Sequence, residues 1–295
     1  MSSSHGWYLP LLNRYHNTAI HDSQIQFIFR SSSNNLISTS IPKSKIPLEI
    51  AERIIDYCHN DKNALANCAL VCTAWIRPAR YHLINAIKLR RGFVDKFLLA
   101  LTSPGSRLGT SIRSLDISNI PATIPSYQLN EAIPLLADHL PAVKTLSLAG
   151  LDWRILDIQV QACFVHAFPR LVRLDIIQCR FQALGQLVEY VTSFPDLDSL
   201  RVNKSQWDNR LIPTQLPKLF LPRLKSLLLY PADPRIIDLL DCRDLEMISL
   251  DDVTKEHIPA VRDLLHRVGP ALRELRIRFT DNIYVKGALL SALTI

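Results

Sequence analysis

Residues 168–176 read FPRLVRLDI, and the same wording returns as FPDLDSLRV at 194–202, LPRLKSLLL at 221–229 and GPALRELRI at 269–277. Each stretch has a proline, an aliphatic residue two positions later, and then two more aliphatics spaced as L-x-L. Aligned on aliphatic-x-x-aliphatic-x-aliphatic, the chain holds seven copies. They are Ile112-Leu115-Ile117, Val143-Leu146-Leu148, Leu171-Leu174-Ile176, Leu197-Leu200-Val202, Leu224-Leu227-Leu229, Leu245-Ile248-Leu250 and Leu272-Leu275-Ile277. Successive middle positions lie 31, 28, 26, 27, 21 and 27 residues apart. Proline stands five residues before the middle aliphatic at Pro141, Pro169, Pro195, Pro222 and Pro270, where its fixed φ can set the turn that enters a strand.

Alternate side chains of a strand point to opposite faces, so each L-x-L pair turns to one side. Three buried aliphatics contribute roughly 5–9 kcal/mol. Ordering the ~25 residues of one unit costs several times that in chain entropy. A single copy therefore cannot stand, and stacking on its neighbours supplies the missing burial. Between the copies lie helical patterns: NEAIPLLADHL, IQVQACFVHAF, QALGQLVEYVTSF, RIIDLLDC and KEHIPAVRDLLHRVG. The linker at 203–221, with Trp207, Pro213 and Pro217, has no helical period and reads as an irregular loop.

Across about 110–280 this pattern resembles the leucine-rich-repeat family in its longer, irregular form, whose units run to about 20–29 residues. The family's ninth position is usually Asn or Cys, which satisfies backbone groups in the turn. Here it is Ile120, Leu151, Cys179, Ser205, Ala232, Val253 and Thr280, so only Cys179 fits and regular curvature is not expected. The x positions should line the concave face: Asp116, Thr145, Arg173, Asp175, Ser199, Arg201, Asn203, Tyr230, Asp251, Glu274, Arg276 and Arg278. That face is either a solvated sheet surface or a partner-docking surface. On the second reading, Asp175, Arg201, Asn203, Tyr230, Asp251 and Arg276 are the substrate-binding candidates.

Upstream, residues 46–87 read IPLEIAERIIDYCHNDKNALANCALVCTAWIRPARYHLINAI. Pro47 suits a first helical position, and Glu49 and Glu52 suit the positive end of the helix dipole. On a wheel at 100° per residue, Ile46, Tyr57, Ile50, Ile54, Cys58, Ala51, Ile55 and Leu48 cover about 200°. A helix lying on its own core needs only about half that arc. A second helix from about Asn63 to Cys72 is apolar nearly all round. A third holds Trp75 near its start and Pro78 as a bend. Three short helices in some forty residues make a small core. Apolar surface beyond that core is then a docking face.

The opening Ile46-Pro47-Leu48-Glu49, the pair Val71-Cys72 and Trp75 three residues on resemble an F-box, and that module recurs ahead of leucine-rich repeats. The resemblance implies an α/β chain: a short three-helix F-box-like unit, then a curved solenoid of parallel strands with a helical or irregular convex side. Residues 1–40, with SSSNNLISTS and little pattern, read as a poorly ordered arm; the resemblance places the F-box-like unit at 41–90 and the solenoid at 91–295, with strands over 112–279. It further implies that the chain docks on a Skp-type adaptor of a cullin ubiquitin ligase and presents a protein substrate on its repeats. By position, Ile46, Pro47, Leu48, Ile50, Ile54 and Trp75 are the adaptor contacts or their direct support; Ile54 and Trp75 equally suit the interior of the three helices. The rival reading is a repeat scaffold without ligase association, whose helices cap the solenoid and need an apolar face for that reason.

Composition agrees with a folded protein: 48% hydrophobic and 21% charged residues belong to the globular class. Of the net charge of +7, residues 41–110 hold eleven basic and five acidic side chains, while 111–295 hold twenty-one of each. The basic set Arg77, Arg80, Lys88, Arg90 and Arg91 reads as a solvated face or a salt-sensitive contact with an acidic partner. Nucleic-acid binding through this segment would be steeply salt-dependent and is the lesser reading. Cys68 and Cys72 lie one helical turn apart near His82, but their apolar surroundings suit buried thiols better than a metal. No H-E-x-x-H, G-x-S-x-G or Gly-rich phosphate loop occurs, so a non-catalytic protein without cofactor or metal is expected. The only N-terminal apolar block, WYLPLL, is too short for a signal core, so an intracellular chain, cytoplasmic or nuclear, is expected. The C-terminal GALLSALTI implies either a capping helix at 286–293 or a longer protein.

Overall fold

A computed structural model describes residues 46–89, 94–104, 106, 108–118, 126–208, 218–269 and 271–280, with backbone alone at 126–129. The expected arm at 1–40, Arg90, Arg91, Ile120, Pro213, Pro217, Pro270 and the stretch 286–293 lie outside the described residues. The chain divides between Ile84 and Asn85 into two compact units.

The first unit holds three helices: α1 (Leu48–Tyr57), α2 (Lys62–Val71) and α3 (Thr73–Asn85). Pro47 is not the first helical residue but the cap before it, and its carbonyl accepts from the Ile50 and Ala51 amides at 3.1 Å. Glu49 alone is the acidic residue of the first turn, because Glu52 lies a turn further in. Asp61 caps α2, its carboxylate accepting from the Asn63 and Ala64 amides at 3.0 Å. Pro78 sits inside α3. The core these helices share is small: Ile55, Leu65, Ala79 and Leu83, with Cys58, Cys68, Ala69 and Trp75 packed against it. Polar ties supplement it. His82 Nε2 lies 2.7 Å from Asp56 Oδ1, joining α3 to α1. The Lys62 ammonium donates to the carbonyls of His82 (3.0 Å) and Leu83 (3.4 Å), and burial lowers its pKa.

The second unit is built on one parallel sheet. In chain order its strands are β1 (Ala86–Leu89), β2 (Ser114–Ser118), β3 (Thr145–Ala149), β4 (Arg173–Ile177), β5 (Ser199–Asn203), β6 (Ser226–Tyr230), β7 (Met247–Val253) and β8 (Glu274–Phe279), each paired with the next. Successive middle aliphatics are exact register partners from Leu115 to Leu275. The helices α4 (Val94–Thr102), α5 (Ser126–His139), α6 (Ile158–Ala167), α7 (Leu184–Thr192), α8 (Pro234–Leu239) and α9 (Ile258–Val268) lie in the connections, although among the described residues none stands between β5 and β6. This mixed α/β unit, with every strand of its sheet parallel to the next, is consistent with a leucine-rich-repeat-like solenoid. β1 departs from the expected division, which puts 86–89 in the helical unit because AIKL lacks the L-x-x-L-x-L triad.

The proline at each unit's start sets a turn. The Val143, Leu171, Leu197 and Leu224 amides each bond back three residues, to Leu140, Phe168, Phe194 and Leu221, with proline second in the turn. After the turn, two consecutive amides of each unit share one carbonyl of the unit before. Lys144 and Thr145 bond Arg113, Val172 and Arg173 bond Lys144, and Asp198 and Ser199 bond Val172. The motif therefore closes its own backbone accounts only when a neighbour is present.

The backbone turns left-handed just past β3, β4 and β5, at Gly150, Gln178 and Lys204, and near the end of β7, at Asp252, while β6 ends on a cis Tyr230–Pro231 bond. The next position is where the family's ladder residue stands, and here the sequence reading needs correction. Cys179 sends its thiol to the Leu148 carbonyl at 3.4 Å, but Ser205 does the same work. The Ser205 hydroxyl accepts from the Cys179 amide (3.2 Å) and donates toward the carbonyls of Asn203 (3.3 Å) and Ile176 (3.5 Å). Leu151, Ala232 and Val253 are simply buried there. Burial pushes the Cys179 thiol up to about 11.

The described ends of the linker, 203–208 and 218–221, are also more regular than expected. Gln206–Trp207 pairs with Arg180–Phe181, and Leu219–Phe220 pairs with Leu240–Asp241, so short ladders flank it and RIIDLLDC ends as a strand. Between sheet and helices, Trp153, Phe164, Phe181, Tyr190 and Phe194 form a buried aromatic cluster, with Trp153 and Tyr190 centroids 4.7 Å apart.

Candidate docking surfaces

On α1 the wide apolar arc divides into two stripes. Ala51 and Ile55 are buried, with Cys58 packed beside them on the helical core. Ile46 stands just ahead of the helix; Ile50, Ile54 and Tyr57 form the adjoining stripe within about 60° of the wheel, and Leu48 lies on the far side. All five are exposed, at 42%, 46%, 41%, 89% and 47% in that order. Pro47 is exposed too. Ile54 therefore does not fill the core, whereas Trp75 is half-buried against it. The two residues for which both readings stood open part company here. On α2 only Leu65 is buried, and Leu70 and Val71 are each 61% exposed. Their exposure escaped the sequence reading, since a nearly all-apolar helix does not say which of its sides is covered.

On the repeat unit every x position of the strands lies on the face opposite the core. Asp175, Arg201, Asn203, Tyr230 and Asp251 are half-buried and Arg276 is exposed. Register brings four of them together: Asp175 stands beside Arg201, and Asn203 beside Tyr230, on β4, β5 and β6. Asp251 and Arg276 lie farther along, on β7 and β8. Ile177 and Leu228 share this face, and a choice of polar x positions alone leaves them out.

Much of the charge on this face is matched internally. Lys88 pairs with Asp116 at 3.0 Å, Arg276 with Glu274 at 2.5 Å and Arg278 with Asp251 at 3.5 Å. Lys88, read as part of a basic patch, thus has its counter-charge in the sheet. Arg77 is exposed and Arg80 half-buried. Lys204 lies 5.1 Å from the Tyr230 ring centre, a cation–π contact at the rim.

Among the described residues no three His, Cys, Asp or Glu side chains gather as metal ligands, and His82 is taken by Asp56. Among them, too, no helix is long and apolar enough to cross a membrane.

The chain is similar to a solved internalin from Listeria monocytogenes, at 14% identity and a TM-score of 0.31, over 72% of this chain and 67% of that one. No protein-family model matches the chain, and no curated protein matches it either.

Proposed function

We propose that the chain is a non-catalytic, substrate-recruiting subunit of a cullin-type ubiquitin ligase. Its helical unit docks on a Skp-type adaptor through Ile46, Pro47, Leu48, Ile50 and Ile54, with Trp75 supporting them from the core. The outward face of the sheet receives a protein substrate through residues among Asp175, Arg201, Asn203, Tyr230, Asp251 and Arg276. Neither step calls for a metal, a cofactor, nucleic acid or a membrane. The observation that carries this reading is the exposed aliphatic stripe on α1, directly ahead of a repeat unit. Exposed isoleucines gathered on one helix cost solubility unless something covers them.

The test is retention of a purified Skp-type adaptor by the full chain. Wild-type protein should hold the adaptor, and the double variant Pro47→Ala/Leu48→Ala should release it with helical content unchanged. Failure of the wild-type chain to hold the adaptor would return the protein to a repeat scaffold outside any ligase.

A further inference from the structure

The charges on the outward face are paired except at its centre. Asp175 on β4 and Arg201 on β5 are register neighbours of opposite sign. Among the described residues neither makes a hydrogen bond or an ion pair, whereas Lys88–Asp116, Glu274–Arg276 and Asp251–Arg278 all close on the same face. A half-buried carboxylate without hydrogen bonds is an unfavourable resting arrangement. Burial pushes the Asp175 carboxyl above its ordinary range, against the opposing pull of Arg201 and Arg173. Beside this pair, Asn203 Oδ1 is buried without a hydrogen-bond partner. Leu228, register neighbour of Arg201, adds a half-buried aliphatic side chain with no charge to match.

From this row we infer that the sheet recognises an extended protein segment carrying a basic side chain, an acidic one two residues later and an apolar one two residues after that. The inference rests on the reading that this face receives the substrate, and names that substrate's chemistry. Strands lie about 4.8 Å apart, so Asp175, Arg201 and Leu228 present minus, plus and apolar over about 10 Å. In an extended segment lying across the strands, alternate residues point the same way at about 7 Å intervals. Long basic and acidic side chains take up the difference. The basic group pairs with Asp175; the acidic group pairs with Arg201, with exposed Arg173 nearby. Recognition of this kind discriminates by charge order more than by raw affinity, because a reversed segment meets like charges at both positions.

The experiment uses the full chain and two fluorescent pools of synthetic peptides, one with Lys-x-Glu-x-Leu fixed and one with Glu-x-Lys-x-Leu. Anisotropy should show the first pool bound about tenfold or more tightly than the second. Asp175→Asn should erase the preference at the basic position and Arg201→Gln that at the acidic one. The first replacement keeps side-chain shape, the second shortens it but stays polar, and both lie on a face outside the core. The exchange variant Asp175→Arg/Arg201→Asp should prefer the second pool. Equal binding of both pools by wild-type protein, or binding of neither, would overturn the inference. Adaptor retention, which belongs to the helical unit, is read in parallel, so a failed ligase reading and a failed peptide preference are told apart.

Discussion

In the helical unit, Ile46, Leu48, Ile50 and Ile54 keep between 41% and 47% of their surface exposed, whereas Leu146, Leu148, Leu174 and Ile176 in the repeats keep none. The residue types are nearly the same. What differs is supply of neighbours. Each of these repeat aliphatics has a register partner on either side. The helical unit has a four-residue core that accepts only Ala51 and Ile55 from α1. Apolar side chains in the first region thus exceed what their surroundings can cover, and in the second they are consumed by the stack. β8 makes the same point inside the repeats. Its triad is written like the others, yet Leu275 is 36% exposed on the terminal strand of the sheet.

If the contrast is real, matched truncations in the two regions must separate stability from binding. The largest effect is expected for Leu174→Ala, which empties a fully enclosed position and should lower unfolding free energy by about 2–5 kcal/mol in urea titration. A small loss there would mean that the stack is looser than its burial indicates.

The sharpest comparison is between sequence neighbours on α1. Ile55→Ala should destabilise the helical unit by about 2 kcal/mol or more, whereas Ile54→Ala should leave stability within about 0.5 kcal/mol. Only the second should weaken adaptor binding selectively, by about tenfold or more in calorimetry. Equal stability losses in the two variants would erase the division of α1 into a buried and an exposed stripe.

A smaller effect tests how the repeats are joined. Ser205→Ala leaves the Cys179 amide and neighbouring carbonyls without the hydroxyl, and should cost about 1–2 kcal/mol in thermal or urea unfolding. Smallest of all is the rim. Arg223 pairs with Asp196, and Glu246 lies between Lys225 (3.6 Å) and Arg273 (3.4 Å). Because these pairs are solvated, Arg223→Ala should cost under about 1 kcal/mol, with the difference vanishing at high salt.

The repeat strands were legible because period-2 alternation states directly which way Leu174 or Leu200 points, and proline five residues earlier states where the strand begins. What each side chain meets was less legible. The triad at Leu272-Leu275-Ile277 reads like the rest, but among the described residues no strand pairs beyond it. β1 carries no triad, since its strand leads straight out of α3. Ser205 was passed over because residue identity, not position, was taken to mark the ladder. On α1 the width of the apolar arc was plain from the sequence, but which part of it faces the core depends on where α2 and α3 place Leu65, Ala79 and Leu83. Likewise, the outward face could be named strand by strand, while the open Asp175–Arg201 pair at its centre depends on which charges find partners in three dimensions.

Hydrogen exchange of the full chain, with and without a saturating purified Skp-type adaptor, addresses the surplus on α1 most directly. The account predicts that amides of residues 48–57 slow markedly on adding the adaptor while those of β3, β4 and β5, already protected, do not change. Unaltered exchange across α1 in the presence of the adaptor would contradict it.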